Sequence, residues 1–126
     1  MTVKEKYQPV LNLGEQLGIK DGSVSEEGGV LKIKGEAGTQ YEKDLLWDKI
    51  KQIGGESPSD LKANITVGDT SVYHRHVVKS GESLSKIAKH YYGDAMKYPQ
   101  IFDANTNILS NPDVIHPDQV LVIPNL

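Results

Sequence analysis

The residues best suited to chemistry in this chain are two histidines one position apart, His74 and His76. Alternate residues of a strand share a face, so the pair could offer two imidazoles to one transition metal. Spacing supplies no third ligand, and a solvated strand edge is the simpler expectation. His90 and His116 stand alone and are expected to be exposed or to cap an element. The chain has no cysteine, which removes zinc–thiolate sites, thiolate nucleophiles and any disulfide framework. Its carboxylates are scattered, and nothing in their spacing signals a catalytic pair. No G-x-S-x-G elbow, P-loop, H-E-x-x-H helix or dinucleotide fingerprint occurs. A non-enzymatic protein is expected.

Composition narrows the partners. The 14 basic residues against 17 acidic ones leave a net charge of −3, which argues against nucleic acid, whose binders usually carry a basic footprint. The N-terminal MTVKEKYQPVLNLGEQLG holds no apolar run long enough for a signal peptide or a membrane span, so a cytoplasmic monomer without membrane contact is expected. A length of 126 residues allows one average domain or two small ones. The clearest break is GDTS, Gly68 to Ser71, polar punctuation between two strand-like stretches. It suggests an N-terminal domain over residues 1–68, a linker over 69–73 and a second domain over 74–126.

The elements that would position any site follow from periodicity. Val10, Leu13 and Leu17 recur at helical spacing after Pro9. SVSEEGGVLKIKGEA reads as a hairpin turning at Gly28-Gly29, with Leu31 and Ile33 alternating with Lys32 and Lys34. Thr39 can cap a helix reaching about Ile53, with Leu46, Ile50 and Ile53 on one face and Trp47 beside them; Gly54-Gly55 would stop it. Leu61 to Val67 then forms a last strand. The order helix, hairpin, helix, strand describes an α+β layer pair.

In the second half, His76 to Val78 is a strand that ends at Ser80-Gly81. Ser83 caps a helix whose Leu84, Ile87, Ala88 and Tyr91 follow the i, i+3, i+4, i+7 rule, and Gly93 stops it. Pro99 suits the first turn of a second helix to about Asn105. A long loop, TNILSNPDVIHPD, leads to a closing strand from Gln119 to Pro124.

The stretches VVKSGESLSKIAKHYYGD, IFDAN and NPDVIHPDQVLVIP resemble the LysM domain across Tyr73 to Leu126. Asp118 stands where that family usually has glycine, at a turn whose left-handed geometry Asp tolerates. The resemblance implies a βααβ fold and binding of N-acetylglucosamine glycans, peptidoglycan or chitin, in a groove between two loops. Those loops are here Gly81, Glu82, Ser83 and Leu84, and Asn111, Pro112, Asp113, Val114 and Ile115 through His116. The plainer reading makes Leu84, Val114 and Ile115 core and the Asn-Pro-Asp run turn chemistry.

VSEEGGVLKIKGEAGTQYEK, the helix through Trp47, Gly54-Gly55 and NITV resemble the BON domain more faintly. Together with Gly14 to Leu17, GEQL, the two halves resemble the bacterial BON–LysM potassium-binding family, cytosolic proteins that change conformation on binding K⁺. The segment between GEQL and the hairpin is cut to GIKDG, as though a helix were lost or merged. The resemblance implies an ion held by main-chain carbonyls of Val10, Leu13 and Glu15 and of Lys51, Ile53 and Glu56. Potassium sites do use carbonyl oxygens in place of hydration water. Two other readings remain: a peptidoglycan-binding module, and a structural adaptor in a phage-tail-like assembly.

Overall fold

The Thr2 hydroxyl accepts the amide of Glu5 and so starts a single helical turn, Val3–Lys6 (α1), too short for its periodicity to show in the sequence. Pro9 then occupies the first turn of a helix over Gln8–Leu17 (α2), where its missing N–H costs nothing. The computed structural model describes residues 2–126 and divides into two units, Met1–Thr70 and Ser71–Leu126, each with its own core.

In the first unit α2 ends at Gly18, whose φ of 69° is left-handed, and strand Lys20–Glu27 (β1) begins almost at once. The abbreviated GIKDG segment therefore holds no helix. Gly28 and Gly29 both take positive φ, the requirement of a tight hairpin turn, and return the chain as Val30–Thr39 (β2). The ladder pairs Val24 with Ile33 and Glu26 with Leu31, and its register shifts between Lys20 and Ser23. A helix over Gln40–Gly54 (α3) crosses back to Leu61–Asp69 (β3), which runs parallel to β2, giving the order β1-β2-β3. β3 continues two residues beyond the expected Val67, because Thr39 still finds a partner in Asp69. Buried Leu31, Ala37, Leu61 and Ile65 line the helical face of the sheet against Tyr7, Val10, Leu46 and Ile50, while Lys32 and Lys34 are exposed.

The second unit is strand, helix, helix, strand. His74–Val77 (β4) pairs antiparallel with Val120–Ile123 (β5), two residues ahead of the strand expected at His76 to Val78. Between them lie Leu84–Tyr92 (α4) and Tyr98–Asp103 (α5), the latter preceded by a 3₁₀ turn at Ala95–Lys97 that Asp94 caps. Ser83 caps α4 by accepting the Lys86 amide, and left-handed Gly93 ends it. Leu84, Ile87, Ala88, Ile101, Leu109, Leu121 and Ile123 form the core. Asn105 is 2% exposed and joins the end of α5 to β5. Its amide donates to the carbonyls of Ile101 at 2.7 Å and Val122 at 2.8 Å, and its oxygen accepts the Val122 N–H at 2.8 Å. Asp118 adopts φ 71° as the turn into β5 requires.

Candidate functional site

The first candidate site lies where α3 stops. Thr39 caps the start of α3 and Gly55 ends it, at φ 84°, with its amide bonded to the Lys51 carbonyl at 2.9 Å. Among the described residues no hydrogen bond ends on the carbonyls of Ile53 or Glu56. The Ile53 carbonyl is one of the free acceptors that a helix C-terminus leaves, with its partial negative charge, and Glu56 follows just past the Gly55 cap. Beside them, Tyr7 is fully buried against Gly54, and its hydroxyl donates to Asp60 at 2.6 Å. Burial, then the Asp60 hydrogen bond and charge, push the Tyr7 phenol up to about 12. Lys6 pairs with the other Asp60 oxygen at 2.7 Å, and both donors hold that carboxyl below its ordinary value.

The α2 carbonyls are placed differently. Within a continuous helix, those of Val10 and Leu13 belong to the ladder, and the Glu15 carbonyl accepts the Gly18 amide at 3.1 Å. The structure brings α2 and α3 into one core, with the start of α2 at the end of α3. At a rise of about 1.5 Å per residue, Val10 and Glu15 are roughly 7.5 Å apart along the axis. One ion's shell does not span both while α2 stays intact.

In the second unit the two histidines do share a face of β4, but that face is not the solvated edge expected of them. Both are half-buried, because α4 packs over them with Tyr91. The His76 ring stands between two partners, Nδ1 to the Tyr91 hydroxyl at 2.7 Å and Nε2 to Glu82 Oε1 at 2.9 Å. Glu82 also accepts the Lys79 amide at 2.6 Å. An ionised Glu82 can only accept, so Nε2 carries a proton, while Nδ1 accepts from the Tyr91 hydroxyl in the neutral ring and donates to it in the protonated one. Burial opposes the Glu82 charge. Hydrogen bonds from His76 and the Lys79 amide, with the charges of both residues, overcome that and hold its carboxyl below the ordinary value. Burial first, and then the charges of His76 and His90, lower His74. Among the described residues no three His, Asp or Glu side chains are placed to hold a metal ion.

The two loops expected to form a glycan groove meet at their roots, where the Val78 amide donates to Gln119 O and the Asp118 amide to Val78 O. The first is largely occupied with itself. Glu82 turns back to His76, Ser83 caps α4, the Gly81 carbonyl takes Lys86 Nζ at 3.2 Å, and Leu84 is buried. The second is more open. The Asn111 side-chain oxygen accepts the Asp113 amide at 2.9 Å in an Asx turn, Pro112 is half-buried, and Ile115 packs on the core. Val114, which the plainer reading puts in the core, is 49% exposed. Its turn directs it outward while Ile115 takes the inward position. His116 is exposed, and its amide donates to Gln119.

A strand-helix-helix-strand unit with this capped turn and this closing strand matches a family model described as LysM domain over residues 76–124. The C-terminal unit is a LysM domain. Over 57 residues the chain is 60% identical to an uncharacterised protein of Deinococcus radiodurans, covering 45% of this chain and 20% of that protein. It is 35% identical over 96 residues to the potassium binding protein Kbp of Escherichia coli, covering 76% of this chain and 64% of Kbp. A 51-residue segment, 40% of this chain, is 45% identical to 11% of an esterase of Mycobacterium tuberculosis. The chain is thus a LysM-containing protein that resembles Kbp over most of its length, while spanning under two thirds of these relatives.

In the LysM domain, sequence reasoning located the capped turn from Gly81 to Leu84 but missed the use of Glu82. The signal that could have found it is Glu82 six residues after His76, across the turn that ends β4. Tyr91, at helical spacing on α4, was legible as a core residue, but its hydroxyl contact with His76 was not. No helix among the described residues is long and apolar enough to cross a membrane.

Proposed function

We propose that this chain is a non-enzymatic, cytoplasmic potassium-binding protein whose N-terminal unit is BON-like and changes conformation when the ion binds. The observation that carries the reading is the end of α3, where the Ile53 and Glu56 carbonyls accept no hydrogen bond beside the Lys51 carbonyl. Neutral carbonyls at a helix C-terminus offer a large monovalent cation oxygen ligands without a carboxylate cluster. The similarity to Kbp, which its name describes as potassium binding, supports the same reading. Val10, Leu13 and Glu15 would join Lys51, Ile53 and Glu56 only if the last turns of α2 yielded their internal hydrogen bonds. Ion binding is thereby tied to a rearrangement of α2.

The test is calorimetric titration and thermal unfolding in KCl against NaCl at equal ionic strength. Saturable potassium binding is expected, with a rise in the melting temperature that sodium does not reproduce. Equal responses to the two salts at millimolar concentrations would refute the proposal.

A glycan-binding role for the LysM domain has one structural observation in its favour. The exposed Asp113 and Val114 stand beside Asn111, whose amide nitrogen is left open by the Asx turn. Together they offer a donor, an acceptor and an apolar contact to an acetamido sugar. Retention on purified peptidoglycan, lost in Asn111→Ala/Val114→Ser, is the expected outcome, and flow-through of the parent protein counts against it.

A further inference from the structure

A groove of about 460 Å³ runs along α2 in the N-terminal unit, within the volume range of small-molecule sites. Its apolar lining comes from three directions, Val10 on α2, Leu46 on α3, and Ile33, Ile65 and Val24 on the sheet. Val24 is 45% exposed although its ladder partner Ile33 packs on the core, so the sheet's apolar face continues past the helices that cover it. Glycine keeps the space open. A Cβ on Gly14 would have only Ile19 nearby, at 3.6 Å, and one on Gly22 only the Lys34 carbonyl, at 3.9 Å. Bare backbone at those two positions gives the groove flat sides. Lys4 and Lys34 line it, and neither forms an ion pair among the described residues, whereas Glu15 is the one acid in the lining.

A flat-sided apolar slot with an excess of unpaired ammonium groups suits a planar hydrophobic anion. We propose that this groove binds an aromatic monocarboxylate, with the ring system laid along Gly14 and Gly22 over the aliphatic floor and the carboxylate turned toward Lys4. The groove does not include the carbonyls at the end of α3, but it shares Val10 and Glu15 of α2 with the proposed ion site, so it is tested on the potassium-free protein, in which α2 is intact.

The experiment titrates the full chain with 2-naphthoate, 2-naphthol and a naphthylmethylammonium ion while following backbone amide shifts. Saturable naphthoate shifts at Gly14, Gly22 and Val24 are expected, with the carboxylate favoured over the neutral alcohol by up to about fivefold, as an exposed charge pair gives. Gly14→Leu should fill the slot and abolish the shifts, and Lys4→Glu should remove the preference for the carboxylate while naphthol still binds. If Gly14→Leu fails to fold, Val24→Trp closes the same groove from the sheet side. The titration is run in NaCl without potassium, so that a failure of naphthoate to bind is read separately from a failure of potassium to bind. Absence of saturable shifts, unchanged binding in a folded groove-filling variant, or tighter binding of the ammonium compound would overturn the proposal.

Discussion

Asn105→Ala should unfold the LysM domain far below the parent's melting temperature while leaving the N-terminal unit where it was. Asn105 is buried and makes three hydrogen bonds of 2.7 to 2.8 Å, two to carbonyls and one from an amide, which tie α5 to β5. Each such bond contributes about 1 kcal/mol net, and a buried group left unpaired costs at least as much, so the loss should be about 3 kcal/mol. Val122 is only half-buried, so water can reach part of what is exposed and keeps the loss near that figure. In a domain this small, 1 kcal/mol moves the midpoint by roughly 4–8 °C, which puts the expected fall at about 12 °C or more. Differential scanning calorimetry can separate the transitions of the two units, and only that of the LysM domain should shift. Asn107→Ala, at an exposed position on the same loop, is the control and should change little. Asn105→Asp keeps the acceptor for Val122 but loses both donations and buries a charge, so at neutral pH it should be no better than alanine. An Asn105→Ala protein melting within about 2 °C of the parent would show that the clasp adds no stability and that the bookkeeping of one kcal/mol per bond fails here.

Gly54→Ala should destabilise the N-terminal unit by about 1–3 kcal/mol, although the same change in a free helix would stabilise it. The new Cβ would run into the Tyr7 hydroxyl and Pro58. Urea denaturation should show Gly54→Ala/Tyr7→Phe recovering part of that loss, and a more stable single variant would refute the packing argument. Acid should weaken the LysM domain through Glu82, as it weakens the N-terminal unit through Asp60, because each carboxyl is held below its ordinary value in the folded state. The folded state then binds fewer protons than the unfolded chain, so the stabilisation is present above the ordinary carboxylate range and is lost as pH falls through it. Glu82→Gln should flatten the LysM stability profile below about pH 5, and an unchanged slope would assign the acid sensitivity to other carboxylates.

Most of the architecture was legible because it rests on local chemistry. Thr39 and Ser83 cap the helices expected of them, Gly28-Gly29 makes the hairpin turn, and Leu31 alternates with Lys32. Element ends were less legible where a neighbouring strand decided them, as when β2 carried β3 on to Asp69. Sites were least legible because their partners are distant in sequence. Asp60 meets Tyr7 from 53 residues away, and Asn105 reaches Val122 across 17, separations at which residue type says nothing about pairing. His76 shows the difference most clearly. Its alternation with His74 put both imidazoles on one face, but among the described residues no third side chain joins them to hold the metal that such a face could invite. Tyr91, fifteen residues on, takes one ring nitrogen and the carboxylate of Glu82 takes the other. A histidine with both nitrogens engaged has no lone pair left for a cation, so what looked like the chemistry of this chain is part of the framework that holds the LysM turn in place.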